Sequence, residues 1–133
     1  MTFLERLLAV LVRMRRSGEH IVCGDFNIAH TAIDTYDAIR NAHVSGFLRE
    51  ERAWMDTLLD RVGWVDAFRV INGDRGHYTW WSNRPAAWER NLGWRIDYQI
   101  VTPGLRDRIR AASIYKASRF SDHAPLTVDY DLS

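Results

Sequence analysis

The stretch from Trp94 to Val101 constrains this chain more than any other. Trp94, Ile96, Tyr98 and Ile100 fall on one face and Arg95, Asp97 and Gln99 on the other. That is the period of a strand with one side on a core, so the chain must build a sheet and cover one of its faces. One residue resists the pattern. Aspartate is disfavoured inside strands, so Asp97 is either on the solvent face of an edge strand beside Arg95 or is there because a site requires a carboxylate.

The remaining segments mix helix and strand. Leu4, Leu7, Leu8 and Leu11 follow helical spacing, Thr2 with Glu5 resembles a capping box, and Ser17-Gly18 ends that helix. His20 to Cys23 reads as a short strand stopped by Gly24. Residues 28–46 are polar and aperiodic, a long loop. A second helix is predicted from Leu48 to Val62, with Trp54, Met55, Leu58, Leu59 and Val62 as its buried stripe and Gly63 as its stop. Tyr78 to Trp81 is a short strand, Pro103-Gly104 a turn or short helix, and Ala112–Tyr115 and Pro125–Tyr130 the last strands. The class is therefore α/β or α+β.

Composition narrows the classes further. With 133 residues, 47% of them apolar and 26% charged, the chain is one domain, or part of one, with a real core. Disordered and low-complexity architectures are excluded. Eighteen basic against 17 acidic residues leave a net charge of +1, so bulk charge does not demand nucleic acid, although a local basic surface remains open. The single cysteine, Cys23, excludes an internal disulfide and a cysteine zinc cluster, and fits a reducing compartment such as the cytoplasm. No apolar run reaches the roughly 18 residues that span a bilayer. Glu5, Arg6 and Arg13 break up the start, which therefore lacks the apolar stretch of a signal peptide.

Three polar clusters lie at or near predicted strands. In Gly24-Asp25-Phe26-Asn27, alternation sends Asp25 and Asn27 to one face and Phe26 into the core. Strand ends in α/β sheets are where sites gather, but Gly, Asp and Asn are also ordinary turn residues. Arg95-Ile96-Asp97-Tyr98 is the second. Ser121-Asp122-His123 is the third, a polar loop or a titrating site. Adjacent side chains diverge, so His123 needs its carboxylate from elsewhere, and Asp97 is available. Together they offer acids, an amide and a histidine, a set that suits a divalent metal with oxygen ligands and phosphate chemistry. No nucleophile elbow, Walker A or G-x-G-x-x-G pattern is present. A fourth feature interleaves Trp80, Trp81, Trp88 and Trp94 with Arg84, Arg90 and Arg95. Aromatics stack on bases and arginines pair with phosphates; the alternative is a core strand and a solvated loop, with one of Trp80 and Trp81 pointing inward.

These stretches carry a resemblance. GDFNIAHTAID (24–34), SGFLREERAWMD (45–56), GWVDAFR (63–69), YTWWSNR (78–84), ERNLGWRIDYQIVTPGL (89–105) and RFSDHAPLTVDYD (119–131) resemble, in order, the C-terminal half of exonuclease III-type apurinic/apyrimidinic endonucleases. These belong to the endonuclease/exonuclease/phosphatase superfamily. The resemblance implies catalytic roles for Asp25, Asn27, Asp97 and His123. Asp25 helps generate or position the attacking hydroxide, Asn27 donates to the scissile phosphate, and Asp97 orients His123. It implies a site for magnesium, or manganese in its place, around Asp25, Asn27, Asp122 and His123. Trp80, Trp81, Arg84 and Arg95 would meet DNA, Trp80 and Trp81 as an aromatic wedge. The implied partner is duplex DNA with abasic sites or 3′ ends, and no membrane.

The resemblance also implies a fold, the C-terminal half of a four-layer α/β sandwich: one mixed sheet with flanking helices, residues 1–133 forming a partial domain. The family's opening W-N-x-N strand and Q-E-x-K segment, with its metal-binding glutamate, have no counterpart here, so a truncated protein with weakened magnesium affinity is expected. Asn83 and Arg49 depart from the usual residues at their positions. The strands around Val22, Trp80, Ile96, Tyr98, Ile100 and Val128 are expected to leave one face bare, favouring self-association or pairing with an N-terminal-half chain. Two other readings remain: a superfamily phosphatase or phosphodiesterase with another substrate, and a non-catalytic DNA-binding or dimerising fragment.

Overall fold

The computed structural model describes the whole chain, Met1–Ser133. Helix α1 (Phe3–Arg16) opens on the capping box: the Glu5 N–H donates to Thr2 Oγ1 at 3.2 Å and the Thr2 N–H to the Glu5 carboxylate at 2.7 Å. Arg13, Arg15 and Arg16 fill the last turn, where the helix dipole favours cations. Strand β1 (Ile21–Asp25) follows. It does not stop at Gly24, as the glycine suggested. Gly24 pairs with Tyr98 in register with Asp25 and Asp97, and that ladder carries the strand on to Asp25.

Helix α2 (Arg49–Asp56) runs on as a wider π-type segment, Thr57–Val62, and ends at Gly63, whose φ of 96° makes the left-handed stop that glycine permits. Met55 and Leu58 are fully buried, while Trp54, Leu59 and Val62 pack at the margin of the same cluster. Two short elements escape the sequence pattern: β2 (Val65–Asp66) and α3 (Ala67–Ile71).

The alternating stretch does not form one strand. β3 (Trp80–Trp81) pairs with β4 (Gly93–Trp94), whereas β5 (Asp97–Val101) pairs with β1 and β2. Arg95 and Ile96 carry the chain from one ladder to the other, and their hydrogen bonds are diverted. The Arg95 N–H goes to the Asp34 carbonyl at 2.7 Å, and the Ile96 and Asp97 N–H groups go to Thr79 Oγ1 at 3.0 and 3.1 Å. β6 (Ile109–Ile114) and β7 (Leu126–Tyr130) make a third sheet after the 3₁₀ turn Pro103–Arg108. Helix and strand are thus mixed as expected for α/β, but the strands lie in three small antiparallel sheets rather than in one mixed sheet. Gly93 is what lets β3 and β4 meet: a Cβ there would fall 2.6 Å from Trp81 Nε1 and 2.9 Å from the Trp80 carbonyl oxygen.

The core corrects the expectation of a bare face in part. Ile96, Tyr98 and Ile100 are 6%, 1% and 0% exposed. Tyr98 and Ile100 share a cluster with Leu11, Met55, Leu58 and Trp64. Indole N–H groups lock α1 over it: Trp64 Nε1 donates to the Leu11 carbonyl at 3.1 Å and Trp54 Nε1 to that of Leu4 at 3.0 Å. Ile96 belongs to a second cluster with Ala29, Phe47 and Trp94. The exposed positions are instead on β1, where Ile21, Cys23 and Asp25 face solvent.

Candidate active site

β1 delivers Asp25 opposite Asp97 in the β1–β5 register. Immediately after it the chain turns. Asn27 has φ 54°, a left-handed conformation that asparagine tolerates better than most residues, and its N–H donates to Asp25 Oδ1 at 2.8 Å. The turn and the placement of the carboxylate are therefore one structure. Phe26 points inward, its ring 5.3 Å from that of Tyr98 and 6.2 Å from that of Trp54.

The segment 122–124 brings in the histidine by lying along β3. The Trp81 N–H donates to the Asp122 carbonyl at 3.1 Å, the Ala124 N–H donates to that of Thr79 at 2.8 Å, and Trp80 bridges His123. His123 Nδ1 then lies 2.8 Å from Asp97 Oδ2, and its Nε2 3.8 Å from Asp25 Oδ2. The paired groups are half-open to solvent, with side-chain exposures of 36% for His123, 21% for Asp97 and 36% for Asp25.

The electrostatics follow from this geometry. Burial pushes the Asp97 carboxyl up, against hydrogen bonds from His123 and Thr79 that pull it down. For His123 burial works downward, but the hydrogen bond and charge of Asp97, with Asp25 and Asp122 behind it, win and hold the imidazole above its ordinary value. Asp97 also orients the ring, leaving Nε2 directed toward Asp25. Ligand atoms of Asp25, Asp97 and His123 all lie within 4.8 Å of one another. Two carboxylates and one imidazole fit a hard divalent cation that keeps several waters of its own.

Asp122 is not drawn into this cluster. Its Oδ2 accepts from Trp80 Nε1 at 3.1 Å, because neighbours on an extended segment diverge and His123 takes the other side. Asn27 stands at the edge of a cleft of about 610 Å³ that opens beside His123. Trp80, Trp94 and Ile96 supply its apolar lining, and Arg84 and Arg40 reach it from two loops. Trp80 and Arg84 thus both lie on this cleft.

Two of the expected DNA-facing residues are inside the protein. Trp81 is 0% exposed; its Nε1 donates to Asn91 Oδ1 at 3.0 Å and its ring meets Trp88 edge-on at 4.6 Å. Of the tryptophan pair, Trp81 is the one that points inward. Arg95 is 1% exposed. Its Nε donates to Asp34 Oδ1 at 2.7 Å, and its two terminal nitrogens donate to the Asp66 carboxylate at 3.1 and 2.6 Å. Arg69 shares Asp34. Burial alone would raise the Asp34 carboxyl, but the guanidinium groups of Arg95 and Arg69 bring it down to about 2. The strand break at residues 95–96 turns Arg95 inward, an outcome that strict alternation could not anticipate.

Several contributors gave no sequence signal. Thr79 is fully buried and holds both β5 and the histidine segment. The Tyr98 hydroxyl donates to the Ile28 carbonyl at 2.7 Å, fixing the chain after Asn27. Tyr36, Arg40 and Asn41 line the cleft from the loop that looked structureless. Asn41 is 4% exposed and donates to Thr35 Oγ1 at 2.9 Å.

Comparison with known proteins adds the following. The model of the endonuclease/exonuclease/phosphatase family matches residues 2–123. An exodeoxyribonuclease of Bacillus subtilis is 40% identical over 123 residues, which are 92% of this chain and 48% of that protein. The solved AP endonuclease of Archaeoglobus fulgidus superposes with a TM-score of 0.89 at 31% identity, over 98% of this chain and 52% of that one. A 3′ phosphatase from Neisseria, bound to a product DNA hairpin, gives a TM-score of 0.84 at 32% identity, over 96% of this chain and 52% of its own. The chain spans about half the length of these relatives.

Proposed function

The chain belongs to the endonuclease/exonuclease/phosphatase family, and from that premise we propose that it serves a DNA repair nuclease, hydrolysing phosphodiester bonds of duplex DNA at abasic sites or 3′ ends. The observation that carries this reading is the Asp25–Asp97–His123 cluster at the edge of a cleft lined by Trp80 and Arg84. Hydrolysis of a phosphodiester needs an oriented nucleophile, neutralised phosphate charge and a stabilised leaving oxygen. Asp25 is placed to accept the proton of an attacking water. His123, its Nδ1 paired with Asp97 and its imidazole shifted above the ordinary value by that partner, would turn Nε2 toward a phosphate oxygen. Asn27, at the cleft edge, is placed to donate to the same phosphate. Asp97 acts through His123, as a positioning residue.

In this reading Asp25, with Asp97 and His123 beside it, would hold a divalent cation, magnesium or manganese in its place. Bound there, the ion would neutralise phosphate charge and make water a better nucleophile at neutral pH. The Asp122 carboxylate is engaged by Trp80 Nε1 and would stand behind the others, while Asn27, exposed at the cleft edge, would remain within the same site. Trp80 and Arg84 would meet the DNA. A DNA substrate and a free thiol at Cys23 agree with the cytoplasm, and no helix is long and apolar enough to cross a membrane.

The experiment is cleavage of a duplex carrying one abasic site, with magnesium, by the intact protein and by the chain mixed with an N-terminal-half polypeptide. Cleavage that chelation abolishes is expected. A duplex ending in a 3′-phosphate belongs in the same assay, because one structural relative is a 3′ phosphatase. Folded protein that binds these duplexes but cleaves neither, alone or mixed, would leave a binding fragment in place of an enzyme. A shift to a heavier species on mixing would support pairing between the halves.

A further inference from the structure

We propose that the Tyr115–Phe120 pair is a stacking platform for an unpaired nucleobase of the bound DNA, an inference that rests on the nuclease reading above. The two rings stack at 5.7 Å between centroids with 15° between their planes. Tyr115 is 43% exposed and Phe120 73%. Aromatic side chains that find each other in a core lose their water on both faces. Here the pair keeps most of the Phe120 surface in solvent, a flat apolar area open to a third ring.

The pair lies on the loop between β6 and β7, the loop that also carries His123. Phe120 and His123 are three positions apart, with Ser121 and Asp122 between them, a reach of no more than about 10 Å even when fully extended. A base on this platform would therefore sit within a nucleotide or two of a phosphate at the cluster. The surroundings suit a polyanion. Lys116 and Arg119 lie between the two aromatics in sequence and are exposed. They also brace the loop: Lys116 Nζ donates to Asn91 Oδ1 at 3.2 Å and sits 5.0 Å over the Trp81 ring, and the Arg119 guanidinium lies 5.2 Å over the Trp88 ring. Asn91 and Trp88 belong to the loop that supplies Arg84 to the cleft, and Trp81 to the strand that leads into it. The platform is thus fixed relative to the cleft wall before DNA arrives, which lowers the ordering cost of binding. Aromatic rings set among cations beside a strand-tracking site are the arrangement that holds single-stranded bases without regard to sequence.

The test uses the intact protein and a duplex with a single-stranded 3′ overhang bearing 2-aminopurine, in calcium so that binding is read without turnover. Phe120→Ala is expected to weaken binding about tenfold, the scale of one lost base–aromatic stack, and to remove the 2-aminopurine quenching. Phe120→Trp should keep both, and a fully base-paired blunt duplex should lose little with either variant. Equal affinity and quenching in wild type and Phe120→Ala, with wild type still binding and cleaving, would overturn the platform and leave the nuclease reading standing. Wild-type protein that neither binds nor cleaves DNA would overturn both. A wild-type chain that self-associates through this pair, shown by a sedimentation shift lost in Phe120→Ala with DNA affinity unchanged, would assign the pair to a protein contact and refute the proposal.

Discussion

Arg95 and Asp97 stand two residues apart and would share one face of a regular strand, yet they do opposite things. Arg95 is sealed between Asp34 and Asp66, with its hydrogen bonds directed at carboxylates that are themselves buried. Asp97 opens toward His123 and Asp25 at a cleft edge and keeps a fifth of its side-chain surface in water. The difference arises because the chain changes ladders between them. Charge in the first region is spent on tying the 31–36 loop, β2 and α3 to the root of β5. In the second it is left incompletely satisfied, which is what chemistry requires. Buried charge pairs are poor evidence of stabilisation in themselves, but breaking one strands its partner. Half-exposed pairs contribute little to stability and can contribute much to catalysis.

The sharpest separation of the two regions should come from activity. His123→Ala is expected to lower kcat of the intact protein about 10²- to 10⁴-fold, the range for a lost acid–base group, while shifting the urea midpoint little. An active His123→Ala variant would remove this residue from the chemistry. Next in size is Arg95→Met, which leaves Asp66 buried without its fork. A loss of about 3–5 kcal/mol in unfolding free energy is expected, against under 1 for His123→Ala. Equal stability losses in the two variants would erase the distinction.

Titration breaks the comparison along another axis. The Asp34 carboxyl is held at about 2 against an unfolded value of 3.8, so its contribution is complete above the unfolded value and is lost as pH falls from about 4 toward 2. That contribution is about 2 kcal/mol, and acid unfolding should flatten in Asp34→Asn by about this amount. The smallest effect has the opposite sign. His123 is raised above its ordinary value, so its pairing stabilises fully below the unfolded value of 6.5 and is lost as pH rises through the folded one. Solvent screening at a half-exposed group keeps it below about 1 kcal/mol. An NMR titration of the imidazole that returned a value below 6.5 would contradict the Asp97 pairing.

Much of the local structure was legible because its causes are local. The Thr2–Glu5 box, the leucine spacing of α1 and the left-handed stop at Gly63 all act within a turn or two of themselves. The pairing of Asp97 with His123 was open from the divergence of adjacent side chains and was assigned by the resemblance, since nothing in either segment's pattern says that the chain returns to the same point after 25 intervening residues. Periodicity failed where pairing changed. The alternation from Trp94 to Ile100 is real in burial at its apolar positions, but it does not reveal that β4 and β5 belong to different ladders or that Arg95 goes inward. Thr79 was invisible for a related reason: threonine suits any strand, and its importance lies in which N–H groups reach its oxygen. β2 and α3, of two and five residues, had no period long enough to detect.

Thr79 acts as a common datum for the site. Its hydroxyl fixes the chain at Ile96 and Asp97, and its carbonyl fixes the chain at Ala124, one residue past His123. Both members of the acid–histidine pair are therefore surveyed from a single benchmark. A displacement of that benchmark carries the two along together, and the gap between them changes only by the give of two short tethers. Had each been tied to a separate landmark, the errors of the two landmarks would have added. A chain assembled from three small sheets has many joints at which such errors could accumulate, and this arrangement routes the one spacing that must be accurate around nearly all of them.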